Sequence, residues 1–233
     1  DHFHGWHDIV VGQQKDDQAL PSSIGVPSNF YESLIVLEPN DENALVEALS
    51  RNDIAAVIIE PTGAHWGSDP IPKKFLEAIR THTTQTGTLF IMDEVITGFR
   101  TAPGGIQERY KITPDLSTHA KILAGGFPGG CVTGKSQIMD ILELRESDEI
   151  WNKEKRIAHQ GTYNANPVSA AAGSRTLDLI TGGEHNHLAD TTTAELVLQL
   201  NKLFRTKELD ASAWHVSSMW HLNLGKNSPP PAD

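Results

Sequence analysis

The sequence is poor in cysteine, in basic residues and in long apolar runs. Its single cysteine, Cys131, excludes an internal disulfide framework and is typical of a reducing compartment, so we expect a cytoplasmic protein. No apolar run approaches the roughly 20 residues of a membrane span, and no signal-peptide pattern opens the sequence. Lysine and arginine total 19 against 30 acidic residues, giving a formal charge of −11. Because this charge repels a phosphate backbone, we expect no nucleic-acid partner.

The remaining composition is typical of a folded domain. Apolar residues make up 38% of the 233 positions and charged residues make up 21%. The sequence begins at Asp1 with DHFHGWHD, which has no helix or strand pattern. We therefore expect a piece of a longer protein.

Short apolar runs alternate with helical patterns along the sequence. We predict buried strands at residues 33–39 (SLIVLEP), 55–61 (AAVIIEP) and 88–95 (TLFIMDEV), and a short strand at CVTG. Helices are predicted at DENALVEALSR, PKKFLEAIRTHTTQTG and SQIMDILELRE, from near Pro167, and over residues 190–206. The alternation of strand and helix predicts an α/β fold with a largely parallel sheet.

Residues 129–136 (GGCVTGKS) match the pattern of a phosphate-binding P-loop. A working P-loop follows a buried strand, whereas the Gly- and Pro-rich segment LAGGFP precedes this one. The acidic strand that ends at Asp93 also lies before the loop instead of after it. Nucleotide binding is thus a remote alternative, and Lys135 is interpreted as a solvated lysine at the start of a helix.

Three histidines near the start of the sequence, His2, His4 and His7, lie close to Asp8. Neither a helical nor a strand period brings all three to one face, and no cysteine or carboxylate pattern completes a metal site. We therefore predict no bound metal.

Asp93 and Lys121 together indicate a different chemistry. Asp93 ends a strongly apolar strand, and ligands of α/β sheets collect at the carboxyl ends of strands. Lys121 precedes Gly-rich turns, which allow a cofactor to approach the backbone closely. An acid that keeps a pyridine nitrogen protonated and a lysine that forms an imine are the minimal equipment for pyridoxal phosphate chemistry. An ordinary strand-end acid and a surface lysine would also satisfy this pattern.

The sequence motifs around Asp93 and Lys121 favour the pyridoxal phosphate interpretation over an ordinary acid and a surface lysine. FIMDEVITGFR, PDLSTHAKILAGGFPGG and GTYNANPVSAAAG follow one another in this order, after HFHGWHD and IIEP. The sequence resembles, over nearly its whole length, the class III aminotransferases, which are fold type I pyridoxal-phosphate enzymes, and particularly the glutamate-1-semialdehyde 2,1-aminomutase branch. The resemblance implies an α/β large domain with a mostly parallel mixed sheet flanked by helices. It implies this cofactor-binding domain at residues 1–206 and the start of a small C-terminal domain at 207–233.

The resemblance also implies roles for single residues. Asp93 would pair with the pyridine nitrogen, and Val95, two residues further along the strand, would pack against the ring. Lys121 would hold pyridoxal 5'-phosphate as an imine and then act as the base that moves a proton between substrate and cofactor carbons. Thr162 would bind the cofactor phosphate of a partner subunit, which implies a homodimer with shared active sites.

Further cofactor contacts are implied in two loops. Phe3 would stack on the other face of the ring, with His4 and Gly5 fixing that loop. Glu60 is included among the cofactor-binding residues. After Glu60 the aminomutase branch typically has Gly-Asn-Met-Gly, whereas this sequence has AHWG. His65 thus replaces an asparagine that would approach the phenolic oxygen of the cofactor, which weakens the mutase assignment.

We therefore expect an enzyme that transfers an amino group between an amino acid or amine and an oxo acid. An intramolecular aminomutase and a non-catalytic fragment of the same fold are the alternatives. The phosphate-binding cup and much of the small domain of the family are expected to lie outside this sequence.

Overall fold

The computed structural model describes residues 3–5, 7–15, 18–64 and 69–225. Within these ranges the strands are β1 (Gly12–Lys15), β2 (Gln18–Pro21), β3 (Ala56–Ile59), β4 (Gly63–Ala64), β5 (Asp69–Pro70), β6 (Leu89–Asp93), β7 (Leu116–His119), β8 (Cys131–Gly134), β9 (Ala211–Val216) and β10 (Met219–Leu224). The helices are α1 (Glu42–Ser50), α2 (Lys73–Thr86), α3 (Gly105–Tyr110), α4 (Ser136–Met139), α5 (Pro167–Ile180) and α6 (Glu184–Thr206). None of these helices is long and apolar enough to cross a membrane.

A four-stranded sheet in the order β3-β6-β7-β8 positions the site. Strands β3, β6 and β7 are parallel, and β8 joins β7 in the antiparallel direction. The predicted α/β fold with a mostly parallel mixed sheet is therefore confirmed. Because Ile59 pairs with Met92 and Asp93 pairs with Thr118, the three parallel strands end at one edge.

Helices α1 and α2 form the core together with strands β3 and β6. Apolar side chains at helical spacing on α1 and α2 pack against those of β6. The buried residues include Leu45, Leu49, Leu76, Ile79, Phe90 and Met92. The Asp41 side chain accepts a hydrogen bond from the Ala44 N–H and begins α1, while Gly87, at φ 71°, ends α2. These local signals explain why both helices lie where the sequence predicts them.

One strand prediction is wrong, and two predicted helices have different bounds. Residues 33–39 form no strand, because no strand among the described residues pairs with them, although Leu37 packs against the core. The helix predicted at SQIMDILELRE ends as an α-helix at Met139, and α6 begins at Glu184 instead of at 190. Strand β9 has no counterpart in the prediction, and it pairs with β10 to form a hairpin after α6.

The hairpin β9–β10 packs against α6 through a small apolar cluster of Val197, Phe204 and Ala213. The Asn201 amide also fixes β9, since it donates to the Ala213 carbonyl and accepts from the Ala213 N–H. The domain boundary after residue 206 falls between α6 and this hairpin and stays a prediction.

Candidate active site

Asp93 is the last residue of β6 and is almost fully buried at the common strand edge. Its Oδ1 accepts hydrogen bonds from the Val95 N–H at 3.1 Å and the Thr118 hydroxyl at 3.0 Å. Its Oδ2 accepts a hydrogen bond from Nδ1 of His4 at 2.7 Å. Three elements that are distant in sequence thus converge on one carboxylate.

These donors keep the Asp93 carboxyl charged. Burial alone would raise its pKa, but the hydrogen bonds from His4, Val95 and Thr118 outweigh burial and bring the pKa below its ordinary value. Among the described residues Oδ1 accepts two hydrogen bonds and Oδ2 accepts one, so Oδ2 retains a lone pair for a further donor.

Lys121 lies at the same sheet edge as Asp93. Thr118 is the register partner of Asp93, and Lys121 follows three residues later at the start of a short 3-10 turn, Lys121–Ala124. Lys121 has a φ of 49°, in the left-handed region that non-glycine residues seldom adopt. Among the described residues its side chain is exposed.

The first loop of the sequence reaches Asp93 through His4. Its side chain is only 12% exposed beside Asp93, while Phe3 is 64% exposed. Gly5 has a φ of 114°, which L-residues rarely adopt, so glycine is required at this turn. The hydrogen bond between His4 and Asp93 therefore links this loop to Asp93 directly. The stacking role of Phe3 stays a prediction.

Val95 lies beside Asp93 for a different reason than the one predicted. Strand β6 ends at Asp93, and residues 95–100 form a turn, so Val95 does not continue the strand on the same face. The hydrogen bond from its N–H to Asp93 Oδ1 holds it there instead.

Glu60 directly follows β3 and is buried next to the end of β6. Its carboxylate accepts hydrogen bonds from the Thr62 N–H at 3.1 Å, the Thr62 hydroxyl at 2.8 Å and the Gly63 N–H at 3.0 Å. Burial raises the pKa of the Glu60 carboxyl above its ordinary value, and these hydrogen bonds offset part of that rise. Glu60 thus stabilises the turn that leads toward His65, which lies outside the described residues.

Thr162 lies outside the strands that form the Asp93 edge. It lies in an exposed turn before α5, and its side chain makes no hydrogen bond with the described residues. This position is compatible with the implied contact to a second subunit.

Two buried residues of the site escaped the sequence prediction. Glu94 is fully buried and accepts hydrogen bonds from the Thr97 hydroxyl, the Ile106 N–H and the Gln107 side chain. It thereby fixes the turn after Asp93 to the start of α3. The adjacent acidic pair in FIMDEV was the available signal, because a strand directs neighbouring side chains to opposite faces.

His119 is the second such residue, at the end of β7 and two positions before Lys121. Its ring packs on Phe99 with the centroids 5.4 Å apart, and its Nε2 lies 3.3 Å from the Thr133 hydroxyl. Burial lowers the pKa of the imidazole below its ordinary value, although Glu94 and Asp93 act in the opposite direction. His119 is therefore a buried side chain at the end of β7, the strand that leads to Lys121, and burial favours its neutral form.

The P-loop look-alike is a strand, which argues against the nucleotide-binding alternative. Residues Cys131–Gly134 form β8, and their backbone groups face β7 in an antiparallel ladder instead of enclosing a phosphate. Lys135 is about half exposed, but it is not simply solvated, because its Nζ pairs with Asp115 Oδ1 at 2.5 Å.

The described ranges contain His, Cys, Asp and Glu side chains, which are the usual protein ligands of metal ions. No three His, Cys, Asp or Glu side chains come together there in a way that could hold a metal ion. His2 lies outside these ranges.

The chain that carries this site is similar to known proteins in both sequence and structure. The sequence profile of the aminotransferase class-III family matches residues 13–211, and the chain belongs to this family. Glutamate-1-semialdehyde 2,1-aminomutase of Pyrobaculum calidifontis is 35% identical over 229 residues, covering 96% of this chain and 50% of that protein.

Two solved structures show the same fold. An omega-transaminase from Sphaerobacter thermophilus has a TM-score of 0.83 at 28% identity, covering 97% of this chain and 52% of its own. A transaminase with PLP bound has a TM-score of 0.81 at 26% identity, with coverages of 95% and 51%. The resemblance to class III, fold type I enzymes is therefore confirmed, and the chain spans about half the length of the proteins that it matches.

Proposed function

We propose that the full-length protein uses pyridoxal 5'-phosphate to transfer an amino group between an amino acid or amine and an oxo acid. The observation that carries this proposal is the charged, triply hydrogen-bonded Asp93 at the sheet edge where Lys121 begins its turn. When bound, pyridoxal phosphate supplies an electron sink that stabilises negative charge on the substrate carbon. A screen of amino donors and oxo acids with the full-length protein tests the reaction.

Asp93 supplies the anchor for the ring nitrogen. The free lone pair of Oδ2 can accept the N–H of a pyridinium ring, and the negative charge of Asp93 favours the protonated nitrogen. His4 holds Oδ2 from the protein side, so the carboxylate has one orientation before the cofactor arrives. Because the carboxylate is already oriented, less conformational entropy is lost when the cofactor binds.

Lys121 supplies the covalent attachment and the movable proton. Its Nζ would hold the cofactor through the aldehyde carbon, and the same amine would carry a proton between substrate and cofactor carbons. Gly125 and Gly126 follow with positive φ angles of 61° and 92°, which allow the chain to turn tightly after Lys121.

The remaining contacts surround the ring. Phe3 would cover one face and Val95 the other, while Gly5, with a φ of 114°, allows the turn of the Phe3 loop. His65 would donate to the phenolic oxygen, and Glu60 supports the preceding turn through Thr62 and Gly63. Glu60 stays a predicted cofactor-binding residue, and its described contacts also hold this turn.

A homodimer with shared sites accounts for the exposed segment around Thr162. Large apolar side chains are exposed in the same part of the chain, namely Phe127, Val132, Leu144, Ile150, Ile157, Tyr163 and Val168. A second copy of the chain would cover them and bring Thr162 to the phosphate of the neighbouring cofactor. The single cysteine, half-buried on β8, agrees with a cytoplasmic location.

An internal aminomutase is the second candidate, and the 35% identity to the Pyrobaculum calidifontis protein favours it. A substrate labelled with ¹⁵N distinguishes the two reactions. A transferase moves the label to a separate oxo acid, whereas a mutase retains it on the original carbon skeleton. A full-length protein that develops no visible absorption band with pyridoxal 5'-phosphate would instead be a non-catalytic form of the fold.

A further inference from the structure

Helix α5 approaches the turn that carries Lys121 so closely that there is no room for a side chain at Gly173. Gly173 is the buried residue of α5, and a Cβ atom placed on it would lie 2.7 Å from the Leu123 carbonyl oxygen. Real Cβ atoms do not approach an oxygen so closely, so an alanine at 173 would force the helix or the turn to move.

Two more contacts follow along the same turn. A Cβ atom on Gly125 would collide with the Thr176 hydroxyl and would lie 3.0 Å from the Ala172 carbonyl oxygen. The Ser169 hydroxyl donates a hydrogen bond of 2.7 Å to the Pro128 carbonyl. Successive turns of α5 therefore hold the segment from Leu123 to Pro128 at three points.

Lys121 needs such external support. A lysine with a φ of 49° costs about 1–2 kcal/mol relative to the right-handed region, and this conformation persists only where the surroundings impose it. The strand side of the turn is fixed by the buried ring of His119. The opposite side meets α5, and the Leu123 carbonyl lies only two residues from Lys121.

We propose that α5 is the element that positions Lys121, with Gly173 as the positioning residue that sets where the turn lies. This inference rests on the proposed function and adds a residue to it. The step that it controls is the condensation of the Lys121 amine with the aldehyde of pyridoxal 5'-phosphate. A C=N bond forms as the C=O bond of the aldehyde breaks. The oxygen leaves as water together with both protons of the neutral amine, and no other reactant is needed.

Gly173→Ala should displace the Leu123 carbonyl and move Nζ off its path to the aldehyde. We expect condensation at least about tenfold slower than in the wild type, because misplacement by about 1 Å can cost up to a hundredfold. The full-length protein, freed of cofactor, is mixed with pyridoxal 5'-phosphate, reduced with borohydride at timed intervals, and mapped for label on Lys121. Binding of pyridoxamine 5'-phosphate, which has no aldehyde, should change by less than about threefold.

Gly134→Ala is the matched control. A Cβ atom on Gly134 would lie 2.6 Å from the Asp115 carbonyl oxygen, which is a similar collision at a site that does not touch the Lys121 turn. Both variants should lose thermal stability, but the control should condense at the wild-type rate. Equal rates in the wild type and Gly173→Ala, or equal slowing in both variants, would overturn the proposal.

Ser169→Ala gives a second, milder test that does not depend on the folding of Gly173→Ala. Loss of the bond to the Pro128 carbonyl should slow condensation about two- to fivefold, and Ser169→Thr, which keeps a hydroxyl, should restore the rate. An Ala variant as fast as the wild type contradicts the role of α5. A wild-type protein that never labels Lys121 contradicts the proposed function itself, so the two failures are distinguishable.

Discussion

The Asp93 side chain combines burial with a negative charge, and this combination determines what it can bind. A buried carboxylate without partners would be neutral, but His4, Val95 and Thr118 supply three hydrogen bonds to it. The charge is therefore present before any cofactor arrives. A ring nitrogen placed at Oδ2 becomes a cation because its proton gains an ionic partner.

Asp93→Asn should leave the fold nearly intact and reduce turnover by about 30-fold to 1,000-fold. An amide keeps the shape and can still accept from Val95 and Thr118, but it cannot hold the ring nitrogen as its cation. The loss corresponds to about 2–4 kcal/mol, as expected for one partner of a buried charged pair. Steady-state kinetics and a thermal melt measure both quantities. Turnover within about threefold of the wild type would defeat this role.

A second buried acid, Asp115, stabilises the sheet. It accepts hydrogen bonds from the Phe90 N–H at 2.7 Å and the Arg80 guanidinium at 2.9 Å, and it pairs with Lys135. Burial alone would raise the pKa of Asp115, but these partners bring it below its ordinary value. The stabilisation is therefore present above about pH 4 and is lost as the pH falls through the folded-state pKa.

Asp115→Asn should destabilise the protein by about 1.5–3 kcal/mol at pH 7, since it removes charged hydrogen bonds. Urea unfolding at pH 7 and below pH 4 should show this difference shrinking in acid. The control is Lys135→Met, which removes a half-exposed partner and should cost less than about 1 kcal/mol. A difference between wild type and Asp115→Asn that is constant with pH would refute the assigned charge.

Helix α5 depends on a single side chain for its start. Asn166 accepts hydrogen bonds from the Val168 N–H at 3.0 Å and the Ser169 N–H at 3.1 Å, and Pro167 occupies the first helical position. The Pro-based prediction of this helix start was correct for that reason.

Asn166→Ala should cost about 1 kcal/mol of stability, because two helix N–H groups lose their acceptor. Asn166→Asp keeps an acceptor oxygen and should remain close to the wild type. Thermal or urea unfolding of the three proteins gives the comparison. Equal stability of the Ala and Asp variants would show that the cap contributes nothing.

The elements that sequence predicted well are those with local causes. Asp41 and Gly87 delimit helices whose apolar spacing is clear, and β6 is an apolar run that any parallel sheet would bury. Residues 33–39 have the same apolar content, but a strand also needs a neighbour, and pairing partners are not encoded locally. The early start of α6 at Glu184 was missed because Gly183, with φ 78°, reads as a turn and not as a helix boundary.

At the scale of the whole molecule, the site is shared between distant parts of the chain. The sequence motifs singled out Asp93 and Lys121, because the expected chemistry requires those residue types, and their roles stay predictions. Glu94 and His119 were missed, since their roles depend on tertiary packing against α3, Phe99 and Thr133. His4 was placed in a loop, but its bond to Asp93 could emerge only from the fold.

The full-length protein should sediment as a homodimer. Val168→Glu, which places a charge among the exposed apolar side chains near Thr162, should shift the protein toward monomers and reduce cofactor retention. Val46→Glu is the control, because Val46 is similarly exposed on α1, away from that segment. An active, strictly monomeric wild-type species in analytical ultracentrifugation would contradict the shared site.

The central claim is that Lys121, and not Lys135, carries the cofactor. Lys121 begins the turn that follows β7, whereas the Nζ of Lys135 pairs with Asp115 at the opposite end of β7. Borohydride reduction of the full-length holoenzyme, followed by peptide mass mapping, should place the pyridoxyl label within THAKILAGG on Lys121. Lys135→Arg should label as the wild type does. Label on Lys135, or an active protein without label on Lys121, would contradict the account.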